Sequence, residues 1–293
     1  MTSADTAPAD TAPAAPGPRA APTRPVERLE ARLAEAGAQD RAALIAYGVA
    51  GYPGRDSSLA AFRAMAAGAD VLEIGPPYSD PMIDGPVIQR AVQAALDAGT
   101  RVDDVLALVR ELTADPAVPP VVLLVYYNLV AHRGLERFAG ELAAAGACGA
   151  VVPDLPPEEA GEWLAAAGRA AVAPVFLAAP TSTDRRLGAV ARAGRGFVYA
   201  QATLGVTGPR ASLDAGLGDL VGRIRSHTDL AVCVGIGVSN AEQAAAVARL
   251  ADGVIVGTAL VRRLGEEGVE GVRALTAELA TAVRDARATP APR

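Results

Sequence analysis

Lysine is absent from this chain of 293 residues, so all 27 of its basic side chains are arginine. Without a side-chain amine no Schiff base can form on the protein, which excludes covalent amine catalysis on a carbonyl and any pyridoxal phosphate anchored by this chain. Histidine is almost as scarce. His132 follows one apolar strand segment and His227 precedes another, which puts them at opposite ends of an alternating α/β fold and makes them surface or structural residues, not a shared metal site. The only cysteines, Cys148 and Cys233, lie far apart inside short apolar runs. They are expected as core thiols in a reducing compartment, with no CxxC redox or zinc site. No stretch carries the roughly 20 uninterrupted apolar residues that span a bilayer. The formal charge of -6 is scattered, with no basic stripe to track a nucleic-acid backbone. These absences leave a soluble, cytoplasmic protein without nucleic-acid or membrane partners.

Residues 1–25 are mostly Ala, Pro and Thr, a composition that cannot bury enough apolar surface to offset its ordering entropy. A disordered tail is expected there, without the continuous apolar stretch of a secretory signal, and a flexible C-terminus is expected over 288–293. Between them, over 26–287, a single domain is expected. Val26–Ala36 has the spacing of a short amphipathic helix, after which short apolar strands alternate with longer amphipathic segments. Eight strands are predicted: Ala43–Tyr47, Val71–Ile74, Val121–Val125, Gly149–Val152, Ala173–Leu177, Gly196–Ala200, Ala231–Val234 and Gly253–Val256. Each is apolar on both faces and followed by room for a crossover helix, the signature of a parallel sheet covered on both sides. Gly85-Pro86 marks a helix start, Ser239 with Glu242 reads as a capping box, and Val102, Val105, Leu106, Val109 and Leu112 would line one helix face after the second strand. A doubly wound open sheet is the rival, but no GxGxxG follows the first strand. The expected architecture is a closed (β/α)8 TIM barrel with an additional N-terminal helix.

The densest chemistry runs from Val71 to Pro86. Strand alternation sends Leu72 and Ile74 toward the outer helices and turns Glu73 into the barrel interior near its C-terminal mouth. Burying a lone carboxylate costs several kcal/mol or raises its pKa, an arrangement typical of catalytic acids and bases. Asp84, just before a helix start, reads by itself as a cap or turn former, and Asp80, between Ser79 and Pro81, as a loop-shaping residue. Glycines follow strands six to eight: Gly205 to Gly208, Gly235 to Gly237, and Gly257 with Thr258. They suggest a backbone phosphate cradle, with a short helix near Thr258 aiming its N–H groups at the anion. The long glycine-containing stretch from Ala200 to Leu220 reads as a lid that could set Thr207 beside Asp84.

The run from Leu72 to Gly85 resembles the signature of tryptophan synthase alpha chains, LE(I/L)G…(F/Y)SDP…DGP. The resemblance extends through Tyr126-Tyr127-Asn128-Leu129, Pro153-Asp154-Leu155-Pro156, Gly196-Phe197-Val198-Tyr199, Gly205-Val206-Thr207-Gly208 and Gly235-Ile236-Gly237-Val238-Ser239. It implies a lyase that splits indole-3-glycerol phosphate by retro-aldol cleavage into indole and glyceraldehyde 3-phosphate. Carried onto this chain, the two catalytic carboxylates are Glu73 and Asp84, a substrate-orienting tyrosine is Tyr199, and the phosphate site is Gly208, Gly237, Gly257 and Thr258. Leu124 and Ile236 are candidates to pack the indole ring. The resemblance implies no cofactor in this chain, and an α2β2 assembly with a beta chain holding pyridoxal phosphate, to which the loop from Pro76 to Asp84 would report. Thr203 or Leu204 stands where many members carry a lid arginine, and Ile236 where they carry an aromatic residue. The competing readings are a stand-alone lyase releasing free indole and a non-catalytic subunit that activates a beta chain.

Overall fold

The structure, a computed structural model, describes residues 24–80, 82–202, 216–235 and 237–288. Strands β1 (Ala43–Val49), β2 (Val71–Gly75), β3 (Val121–Leu124), β4 (Gly149–Val151), β5 (Ala173–Ala178), β6 (Phe197–Gln201), β7 (Ala231–Gly235) and β8 (Gly253–Val256) follow one another around a closed parallel barrel, and β8 returns to pair with β1. All eight predicted segments are strands, with boundaries displaced by one or two residues at most. The helices are α1 (Pro25–Ala38), α2 (Arg55–Ala66), α3 (Pro86–Asp97), α4 (Val102–Thr113), α5 (Tyr127–Arg133), α6 (Leu135–Ala144), α7 (Gly161–Ala170), α8 (Asp184–Ala193), α9 (Leu217–Arg225), α10 (Ala241–Ala248) and α11 (Thr258–Asp285).

Period-two alternation divides the strand side chains between two cores. Leu44, Ala46, Leu72, Ile74, Val121 and Leu123 join the shell between sheet and helices. Ile45, Tyr47, Val122, Val175, Tyr199 and Ile255 fill the barrel interior. Leu29 and Leu33 of α1 belong to that interior cluster. Val26 N–H also donates to Ala171 O at 3.0 Å, so the N-terminal helix covers one end of the barrel.

The strand starts at this end are clamped by two buried or half-buried aspartates. Asp70, just before β2, accepts from Leu44 N–H at 2.9 Å and from Arg41 Nη1 and Nη2 at 2.8 and 2.9 Å. Asp252, just before β8, accepts from Val232 N–H at 2.9 Å and from Arg225 at 2.8 Å. Each satisfies a strand N–H that the adjacent ladder leaves unmatched, and each is neutralised by arginine.

Two local expectations need correction. The cap of α10 is Asn240, whose Oδ1 accepts from Gln243 N–H at 2.9 Å, while the Gln243 side chain reaches back to accept from Ser239 N–H at 2.8 Å. The predicted Ser239–Glu242 box is therefore shifted by one residue, onto the asparagine that caps at least as well as serine. The helix carrying Val105, Leu106, Val109 and Leu112 on its buried face is the second of two between β2 and β3, preceded by α3, which starts at Pro86 as expected. The helix from Thr258 is broken at Gly268, where φ of +68° ends the first segment.

Candidate active site

Residues of β2 sort as the alternation requires. Leu72 and Ile74 pack outward, and Glu73 points inward beside Tyr47 of β1 and Val122 of β3, its partners in register. Glu73 is 1% exposed, and neither carboxyl oxygen has a hydrogen-bond partner. Desolvation penalises its charged form and lifts the pKa to about 8. At neutral pH the group is a buried carboxylic acid, ready to donate.

Asp84 arrives at the same opening from the connection between β2 and α3. It is buried, and its Oδ2 accepts from the Tyr126 hydroxyl at 3.1 Å. That hydroxyl accepts in turn from Ile83 N–H at 3.3 Å, and Gln89 Nε2 donates to the Asp84 carbonyl at 2.7 Å. Tyr126 is held by the Tyr78 ring, 5.2 Å away between centroids, and Asn128 Nδ2 donates to the Tyr78 hydroxyl at 3.1 Å. Burial raises the Asp84 pKa, and the hydrogen bond from Tyr126 opposes that rise. The two carboxyls therefore differ in kind: one is bare, the other is supported by a donor that favours its ionised form.

Glu73 and Asp84 line one cleft, partly open to solvent. Tyr47, Leu124, Tyr199 and Ile255 form its walls, and Gly237, Gly257 and Thr258 also line it. Thr258 opens α11, whose first-turn N–H groups lack intrahelical acceptors and carry the positive end of the helix dipole. Gly237 has φ of +112°, a conformation that favours glycine. The neighbouring glycines have a further reason to be there. A Cβ at Gly75 would overlap the Tyr47 hydroxyl, one at Gly235 would overlap the Tyr199 hydroxyl, and one at Gly257 would lie 2.9 Å from Tyr47 Cδ1. Gly235 and Gly257, read from sequence only as an anion cradle, make room for the tyrosines that wall the cleft.

Seven of the predicted residues, Glu73, Asp84, Leu124, Tyr199, Gly237, Gly257 and Thr258, meet in this cleft. Thr207, Gly208, Ile236 and most of the expected lid between Ala200 and Leu220, namely 203–215, lie outside the described residues. Tyr47, Tyr126 and Ile255 were missed. The signal for Tyr126 is its spacing of two from Leu124, which continues the inward face beyond the end of β3. His132 in α5 and His227 after α9 are both exposed, whereas Cys148 and Cys233 are buried free thiols. Among the described residues no three His, Cys, Asp or Glu side chains group as metal ligands, and no helix is long and apolar enough to cross a membrane.

The comparisons with known proteins agree with one another. Residues 33–289 match the family model described as tryptophan synthase alpha chain. The chain is 49% identical over 265 residues to the tryptophan synthase alpha chain of Streptomyces coelicolor, covering 88% of this chain and 97% of that one. It is 50% identical over 246 residues to that of Mycobacterium avium, covering 84% and 90%. A solved structure of Mycobacterium tuberculosis tryptophan synthase superposes with a TM-score of 0.83 at 47% identity, covering 88% of this chain and 98% of that chain. The alpha subunit of Legionella pneumophila tryptophan synthase gives 0.82 at 32% identity, covering 88% and 98%.

Proposed function

The chain belongs to the tryptophan synthase alpha chain family, lyases that cleave indole-3-glycerol phosphate in tryptophan biosynthesis, and we propose that the barrel over 26–287 performs this reaction through Glu73 and Asp84. The observation that carries the assignment is the buried Glu73 carboxyl, without a hydrogen-bond partner, sharing one cleft with Asp84 and the start of α11.

Bond cleavage needs an electron sink, and the indole ring can supply it once its C3 is protonated. Glu73, neutral at pH 7, donates that proton and leaves positive charge on the ring nitrogen. Asp84, steadied by Tyr126, accepts a hydrogen bond from the indole N–H and stabilises the charge as it develops. The Glu73 carboxylate then takes the proton of the glycerol hydroxyl beside the breaking bond. The C–O electrons form the aldehyde, the C–C electrons return to the ring, and indole and glyceraldehyde 3-phosphate result. Atoms and charges balance without an added cofactor. Tyr199 and Leu124 wall the ring, with Ile236 assigned beside them. Gly237, Gly257 and Thr258 hold the phosphate by backbone N–H groups, completed by Gly208. Thr207 is assigned as a second partner of Asp84.

The partner is a beta chain that holds pyridoxal phosphate and takes up the indole. Its contact includes the loop from Pro76 to Asp84, which carries the exposed side chain of Met82. The test incubates purified chain with indole-3-glycerol phosphate, with and without a beta chain, and measures indole. Glu73→Gln should fold yet lose cleavage by about 100-fold or more, the usual contribution of a general acid–base group, and Asp84→Asn should be severely impaired. Near-wild-type indole release by Glu73→Gln would overturn the assignment.

A further inference from the structure

The surroundings of Glu73 suit a reaction that carbon–carbon cleavage does not use. Both oxygens are buried without a hydrogen-bond partner, so when ionised the carboxylate is stripped of the hydration that normally weakens it as a base toward C–H bonds. The cleft in front of it is walled largely by the apolar and aromatic side chains of Tyr47, Leu124, Tyr199 and Ile255, surfaces suited to an aromatic ring. We propose that this cleft also catalyses the ring opening of 1,2-benzisoxazoles, with Glu73 as the base.

In that step the Glu73 carboxylate removes the proton on C3 of the heterocycle. The C–H electrons form the third C–N bond of a nitrile, the N–O bond breaks, and its electron pair leaves on oxygen as a phenolate. The substrate is isomerised and nothing is oxidised or reduced. The phenols of Tyr47 and Tyr199 share the cleft as donors to the departing oxygen. The proposal rests on the geometry around Glu73 and not on the lyase reading.

The two reactions need opposite states of one group. Glu73 is faced by Tyr47 from β1, Asp84 from the β2–α3 connection, Tyr199 from β6 and Cys233 from β7, with Tyr126 behind Asp84. Burial raises both facing phenols and the thiol well above their ordinary values, so they stay neutral while Glu73 titrates. Ring opening should therefore rise with pH through about 8, while lyase activity, which starts from the acid, should fall there.

The experiment follows phenolate release from 5-nitro-1,2-benzisoxazole by absorbance between pH 6 and 10, using the full chain, Glu73→Gln, and the exposed control Glu278→Gln. Saturable turnover is expected, competed by indole, unchanged in Glu278→Gln and lowered about 100-fold or more in Glu73→Gln. Equal rates in wild type and Glu73→Gln, or a wild-type rate no faster than free carboxylate buffer, would overturn the proposal. The wild-type pH profile and indole competition test it independently of how the variant folds. Cleavage of indole-3-glycerol phosphate is assayed on the same preparations. Cleavage without ring opening sinks this inference alone, and ring opening without cleavage sinks the lyase reading alone.

Discussion

Replacing Glu73 by glutamine should change how stability depends on pH more than it changes stability at any one pH. The carboxyl moves from an ordinary value of 4.5 to about 8 on folding. Between these values the folded protein holds a proton that the unfolded chain has released. Raising the pH across this window therefore favours the unfolded state, and the stability present below 4.5 is progressively lost up to about 8. At about 1.4 kcal/mol for each pH unit, the upper limit is about 5 kcal/mol, and roughly half of that once water reaching the cleft is allowed for. Glutamine has no such titration. Urea unfolding of wild type and Glu73→Gln at intervals from pH 5 to 9 isolates the effect, because the fixed cost of burying an amide cancels in the slope. The stability difference should shift in favour of the variant by about 2–5 kcal/mol from low to high pH. Parallel curves, agreeing within about 0.5 kcal/mol across the range, would refute the claim that this carboxyl is desolvated and unpartnered.

Tyr126→Phe removes the 3.1 Å hydrogen bond to Asp84; with a hydrogen bond to a charged group worth about 1.5–3 kcal/mol, kcat/KM for cleavage should fall roughly 10- to 100-fold. Its acidic limb should also move to higher pH, because the bond favours ionised Asp84; an unmoved limb would restrict Tyr126 to packing. Gly235→Ala, whose Cβ would overlap the Tyr199 hydroxyl, should displace that ring, destabilise the barrel by about 1–3 kcal/mol and raise KM, read from thermal melts and steady-state kinetics. Asp70→Asn strips the buried partner from Arg41 and Arg32 and should destabilise the fold by about 3–5 kcal/mol in denaturant melts, with cleavage by the folded fraction unchanged.

Alternation alone placed Glu73 inward between Leu72 and Ile74, and the continuous apolarity of eight short segments specified the barrel, since both properties are local periodicities that the chain displays directly. Gly237 and Thr258 were legible because they follow strands seven and eight, whereas Asp84 by itself read as a cap or turn former and owed its catalytic assignment to the family resemblance. Sequence could not establish that Asp84 leans on Tyr126, which lies 42 residues further along, or that Gly75 and Gly257 both make room for Tyr47. Those relations exist only after closure brings the ends of β1, β2, β3 and β8 around one opening. The protonation state of Glu73 belongs to the same class. A glutamate is written in the chain, but only burial with neither oxygen hydrogen-bonded favours its neutral acid form, and that burial is a property of the packed interior.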